Sequence, residues 1–192
     1  MVYILLVTAL YVGFILAVTI LLCMKYSFPG NLWSETAAML GYSKMGEKMQ
    51  VPSTVKVMES ISPYGCMVQV MVLMLGYSLT LGFLILLGNV VLGKKWGMFL
   101  GIGYSFYGFL LDPNVLGKIL RLEKYEMYQV RSIVGWISPL NQAVYGLHDF
   151  GYDNLPSVGQ SLLLFGILLG SIWLGTYQAL RKYNFTFLGG NG

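Results

Sequence analysis

Residues 67–92 read MVQVMVLMLGYSLTLGFLILLGNVVL and contain no Asp, Glu, Lys, Arg or His; the uncharged stretch around them runs from Ser60 to Gly93. A helix rises about 1.5 Å per residue, so roughly 20 apolar residues cross a hydrocarbon layer about 30 Å thick. This stretch passes that test, and the chain repeats it. Met1–Met24 and Asn154–Leu180 are equally free of charge. Trp96–Leu111 is uncharged too, but its 16 residues reach only about 24 Å. Lys94 and Lys95 extend it by snorkelling, whereas Pro113, just past Asp112, argues for a break.

Composition points to the same solvent. Of the 192 residues, 56% are hydrophobic and only 10% charged, and the mean hydropathy is +0.67. A soluble domain carries about 25% charged residues, and an apolar excess of this size has no soluble core large enough to hold it. The expected fold is all-α: a single polytopic membrane domain over 1–192 with four transmembrane helices. The spans fall at about 1–24, 67–92, 96–111 and 155–180, with outer segments at 25–66 and 112–154.

Charge orients the bundle. Lys94, Lys95, Arg181 and Lys182 fall on one side, with no acid among them. The outer segments hold the other eight basic residues and all eight acids, so the net charge of +4 sits on the first side. Basic residues next to span ends mark the cytoplasmic face, so the chain is expected to be a multi-pass protein of the cell membrane with both termini cytoplasmic. Met1 opens into an apolar run longer than a signal-peptide core, with no basic flank before it. That start suggests a fragment of a longer protein, or a chain that needs a partner for insertion.

The outer segments carry further signals. Pro29-Gly30-Asn31 reads as a turn, and Ser34-Glu35 as the opening of a short helix bearing Met39, Leu40, Met45 and Met49. Val115, Leu116, Ile119, Leu120 and Leu122 alternate with Lys118, Arg121, Glu123 and Lys124, as in an interfacial amphipathic helix. Ser132–Leu147 is uncharged but short, and Pro139 interrupts it. It is expected to form a re-entrant or surface-lying hairpin, with Trp136 and Tyr145 as interfacial anchors. A faint repeat links Ile61-Ser62-Pro63-Tyr64 to Ile137-Ser138-Pro139-Leu140.

Candidate sites are few. Gly97 and Gly101, and Gly166 and Gly170, are spaced four apart, which suits close helix packing. No span contains a charge, which argues against a carboxylate-based proton pump. Gln69, Asn89 and Gln160 are the candidates for a polar path, with interhelical hydrogen bonding as the plainer role. His148, the single histidine, reads as a solvated loop residue. It lacks the partners of a metal site or of a catalytic constellation. Cys23 and Cys66 fall near the outer interface, either as buried free thiols or as a disulfide. No metal or cofactor is expected, the scattered basic residues do not suggest nucleic acid, and no phosphate-binding loop is present.

The C-terminal order is a basic turn, a span, an outer segment with Ile137-Ser138-Pro139-Leu140 and a short hairpin, a last span, and Arg181-Lys182-Tyr183-Asn184-Phe185. Over about residues 61–187 this resembles the membrane permease subunits of type-two ATP-binding-cassette (ABC) exporters. The resemblance implies part of a translocation path, an outer gate at Trp136 and Pro139, a second membrane subunit and a separate ATPase. ATP hydrolysis would then belong to that partner, and the chain itself is not expected to be an enzyme. The family has six spans, an N-terminal elbow helix and a cytoplasmic coupling helix; this chain shows four spans and neither of those helices. The other expectation is a non-transporting structural, assembly or immunity subunit of a larger membrane complex.

Overall fold

The computed structural model describes residues 2–23, 32–35, 39, 55–93, 95–111, 116, 118–119, 121, 124–151 and 154–182; at 22–23, 55–56 and 124–128 it describes the backbone alone. The described residues fold entirely into helices and their connections. We label them α1 (Val2–Cys23), α2 (Val55–Ser60), α3 (Pro63–Val91), α4 (Trp96–Leu110), α5 (Lys124–Ile137), α6 (Pro139–Ala143) and α7 (Val158–Lys182), with a 3-10 turn at Tyr145–Leu147. Among the described residues, three helices are long and apolar enough to cross a membrane: α1, α3 and α7. The 15 residues of α4 reach about 22 Å, short of a full hydrocarbon layer.

Helix α3 is the centre of the bundle, packed by α1, α4 and α7. The register of each pair follows from small residues. A methyl group added at Gly82 would meet Ile4 at 2.8 Å, so the start of α1 lies beside the last third of α3. Gly88 lies against Gly97, and Tyr77 stacks on Tyr104 with ring centroids 5.5 Å apart, so α4 is antiparallel to α3. Gly76 faces Phe165 and Leu87 faces Gly175, so α7 runs parallel to α3. One end of the bundle therefore gathers the start of α1, the α3–α4 turn and the end of α7. Lys95, Arg181 and Lys182 are exposed there. Gly93, at φ +105°, makes this turn in a conformation that residues with a Cβ rarely adopt.

The opposite end is closed by α2, the hairpin α5–α6 and the 3-10 turn. The buried core sits here, joining Val57, Cys66, Leu73, Tyr145 and Phe165. Trp33 reaches it from the first outer segment and donates its indole N–H to the Ile61 carbonyl at 3.0 Å.

Two expectations change on this scaffold. The first arm of the hairpin begins at Lys124, not at Ser132, and so includes Arg131. The Ile-Ser-Pro repeat occupies unequal places. Ser62 caps the long helix α3, while Ser138 caps the five-residue α6 inside the hairpin; each has a proline at the first helical position. The shared element is local capping chemistry. The expected helix with Met45 and Met49 and half of the expected amphipathic helix over 115–124 lie outside the described residues, as do Lys94 and the tail after Lys182.

Candidate functional site: the outer helical hairpin

Helices α5 and α6 meet at Ser138, which is fully buried. The Ser138 hydroxyl accepts from the Asn141 N–H and donates to the Gly108 carbonyl near the end of α4, both at 3.4 Å. A methyl group at Gly108 would lie 2.7 Å from Leu140 Cβ, so the glycine is what lets the hairpin approach α4. Gly108 is one turn beyond the Tyr77–Tyr104 pair, and α6 packs on α3, α4 and α7 together. The hairpin tip is thus wedged among three helices rather than laid over their ends.

Several polar groups fix the wedge. The Trp136 indole N–H and the Ser132 hydroxyl both donate to the Asn154 carbonyl, at 3.2 and 2.9 Å. Gln142, buried, donates to the Trp136 carbonyl across the tip. Gly135 lets Leu155 and Pro156 approach α5 closely. A cavity of about 280 Å³ remains between the hairpin and α7, lined by Trp136, Pro139, Gln142, Phe165 and Ser171 among others. The two residues expected at an outer gate, Trp136 and Pro139, therefore face α7 across this cavity.

His148 overturns its reading as a solvated residue, being only 2% exposed. Its Nδ1 lies 3.0 Å from the Tyr145 carbonyl and 3.1 Å from that of Val144. Carbonyls only accept, so Nδ1 carries the proton and donates. Nε2 then accepts from the hydroxyl of Ser161, fully buried on α7, at 3.0 Å. Burial holds the imidazole pKa below its ordinary 6.5, and the two carbonyl hydrogen bonds oppose that only in part. The signal in the sequence was faint: one histidine flanked by Tyr145 and Phe150, whose rings pack on each other in the structure.

The three candidate path residues are not brought together. Asn89 is at the basic end, where its Oδ1 accepts from the Gly97 N–H at 3.1 Å and caps α4. Gln160 is exposed at the start of α7. Its Oε1 accepts from the Ser157 N–H at 2.8 Å, while Ser157 Oγ accepts from the Gln160 N–H at 3.3 Å, a reciprocal cap. Gln69 is half-buried in the outer half of α3. The glycine pairs differ just as sharply. Gly97 and Gly101 are buried against Ile85 and its neighbours on α3, whereas Gly166 and Gly170 are exposed with open space before them. Cys66 is a buried free thiol; the Cys23 side chain lies outside the described residues. Among the described residues no cluster of His, Cys, Asp or Glu is suited to a metal ion.

These observations define an all-helical protein whose three apolar helices are compatible with a multi-pass membrane protein. In comparisons with known proteins, no family model, curated protein or solved structure matches the chain.

Proposed function

We propose that this chain is a permease-type subunit of an ATP-driven exporter of the ABC class, with α4 as a short fourth span and both ends of the bundle's chain on the cytoplasmic side. The observation that carries the reading is the hairpin tip inserted among α3, α4 and α7, where a mobile plug would control access from outside. The exposed Lys95, Arg181 and Lys182 at one end support the orientation. The open Gly166–Gly170 face supports a second membrane subunit, because small residues let helices approach closely in lipid. Energy would come from a separate ATPase, and the hairpin would act as an outer gate to a path shared between subunits. The test is purification from native membranes in mild detergent: a nucleotide-binding chain is expected to co-purify, and its absence would remove the reading's main support.

One observation favours the second reading, a structural, assembly or immunity subunit that transports nothing. Asn89 and Gln160 are engaged in capping helices, so two of the three candidate path residues serve the fold itself. Under this reading, membrane chains co-purify without an ATPase.

A further inference from the structure

Helix α4 meets α3 through its glycines and leaves a furrow beside the contact. Gly101 is pressed onto Ile85, where an added methyl group would lie 2.8 Å from the Ile85 side chain. The furrow of about 480 Å³ is open at the surface, lined by Leu81 and Ile85 of α3 and by Met98, Ile102, Ser105 and Phe109 of α4 among others. Along α4, steps of four, three and four residues from Met98 to Phe109 keep this lining on one face. Lys95 lies three residues before Met98. As the N-cap it already has helical backbone angles, φ −89° and ψ −26°, so it heads the same stripe, and it is exposed. From Met98 to Phe109 the helix rises about 16 Å, close to the roughly 15 Å that one leaflet contributes to the hydrocarbon layer. Charge here is one-sided. Between Glu59 and Asp112 the sequence holds only two charged residues, Lys94 and Lys95. Arg181 and Lys182 are exposed at the same end of the bundle.

We propose that the α3–α4 furrow binds one anionic phospholipid, with an acyl chain along Met98–Phe109 and the headgroup at Lys95. Lipid tails are as apolar as the side chains they touch, so apolar character alone selects nothing in a bilayer. Selection comes from shape and charge. A chain in the furrow touches both helices, and the added atom contacts supply dispersion attraction that a smooth helix face does not. At the head of the stripe Lys95 attracts an anionic headgroup, and the α3–α4 segment holds no acidic residue to offset it. The site rests on the proposed placement of α4 in the bilayer beside α3 and is independent of export. Thiol labelling at positions 94 and 111 reads that placement separately.

The test is native mass spectrometry of the full chain in mild-detergent micelles holding equal amounts of phosphatidylglycerol and phosphatidylcholine with the same long acyl chains. One phosphatidylglycerol per chain is expected, favoured over phosphatidylcholine by at least about fivefold, the preference that one lysine near an anionic headgroup supplies. Lys94→Gln together with Lys95→Gln is expected to abolish that preference. Ser105→Leu fills the furrow and is expected to reduce bound phosphatidylglycerol severalfold. Gly103→Leu, on another face of α4 with open space before it, leaves binding unchanged. Equal retention of the two lipids, a preference that survives loss of both lysines, or equal binding in the two leucine variants overturns the site. A competitor tests the parent chain alone, even where a variant fails to fold. Dihexanoyl phosphatidylglycerol carries the same headgroup on chains too short to follow the furrow, and it is expected to displace the long-chain lipid poorly. Displacement as effective as that by the long-chain lipid overturns the proposal.

Discussion

Asn89, near the end of α3, caps the helix that follows: its amide oxygen accepts a 3.1 Å hydrogen bond from the backbone N–H of Gly97 in the first turn of α4. Asn89→Leu is therefore expected to lose about 1 kcal/mol or more, the usual cost of a missing cap. Thermal unfolding in detergent measures it, and Asn89→Asp, which keeps the acceptor at a helix N-terminus, should lose less. An unchanged unfolding midpoint for Asn89→Leu would reopen the case for a path-lining role.

Gly97 and Gly166 should respond oppositely to alanine. A methyl group at Gly97 would collide with the Ile85 carbonyl and the Asn89 amide, so Gly97→Ala is expected to cost roughly 1–3 kcal/mol through forced separation of α3 and α4. At Gly166 it meets nothing, and the gain in helix propensity is up to about 1 kcal/mol. If a partner helix seats on that face, Gly166→Ala weakens association in mild detergent while the isolated chain melts no lower.

The hairpin's hold on α4 rests on Gly108. Gly108→Leu is expected to displace Leu140 and break the Ser138 hydrogen bond, whereas Ser138→Ala removes only the cap and that bond, about 1–2 kcal/mol. Limited proteolysis within 124–151 should accelerate more for Gly108→Leu. Equal rates in both variants and the parent chain would mean that the wedge does not depend on this contact.

Stability should fall in acid. Because the folded pKa of His148 is depressed below 6.5, its contribution is complete above pH 6.5 and declines as the pH drops below that value, by up to about 1.4 kcal/mol per unit. Melting temperatures between pH 8 and 5 check this. His148→Gln should remove that part of the slope.

Helix α4 is the span that length leaves undecided. With both native cysteines replaced by serine, Lys94→Cys and Leu111→Cys place single thiols before and after it. In intact cells an impermeant thiol reagent is expected to label position 111 and spare 94. Labelling of both, or of neither, would make α4 a half-span.

Much of this protein is written in its hydropathy. Most of residues 67–92 and 155–180 falls in α3, which starts four residues earlier and ends at Val91, and in α7, which starts only at Val158, because a helix satisfies the backbone of a long uncharged run from within. Ser62-Pro63 and Ser138-Pro139 carry a helix-start signature where the sequence reading has only a faint repeat and an interruption at Pro139, and Ser157 with Gln160 carries a capping signature where that reading has Gln160 in a polar path. These are effects within one turn of chain.

What only the tertiary structure decided is which side chains meet across elements. Sequence spacing treats Gly97–Gly101 and Gly166–Gly170 alike, yet the first pair is buried on α3 and the second is open, because the face a helix turns inward depends on its neighbours. Nor does spacing pair His148 with Ser161, 13 residues away on another helix. The residues themselves determined an apolar, helical chain with Lys94, Lys95, Arg181 and Lys182 beside its uncharged runs. The packing of α3, α7 and the hairpin determined that its lone histidine is buried and engaged, because a hydrogen bond between elements exists only once both have been placed.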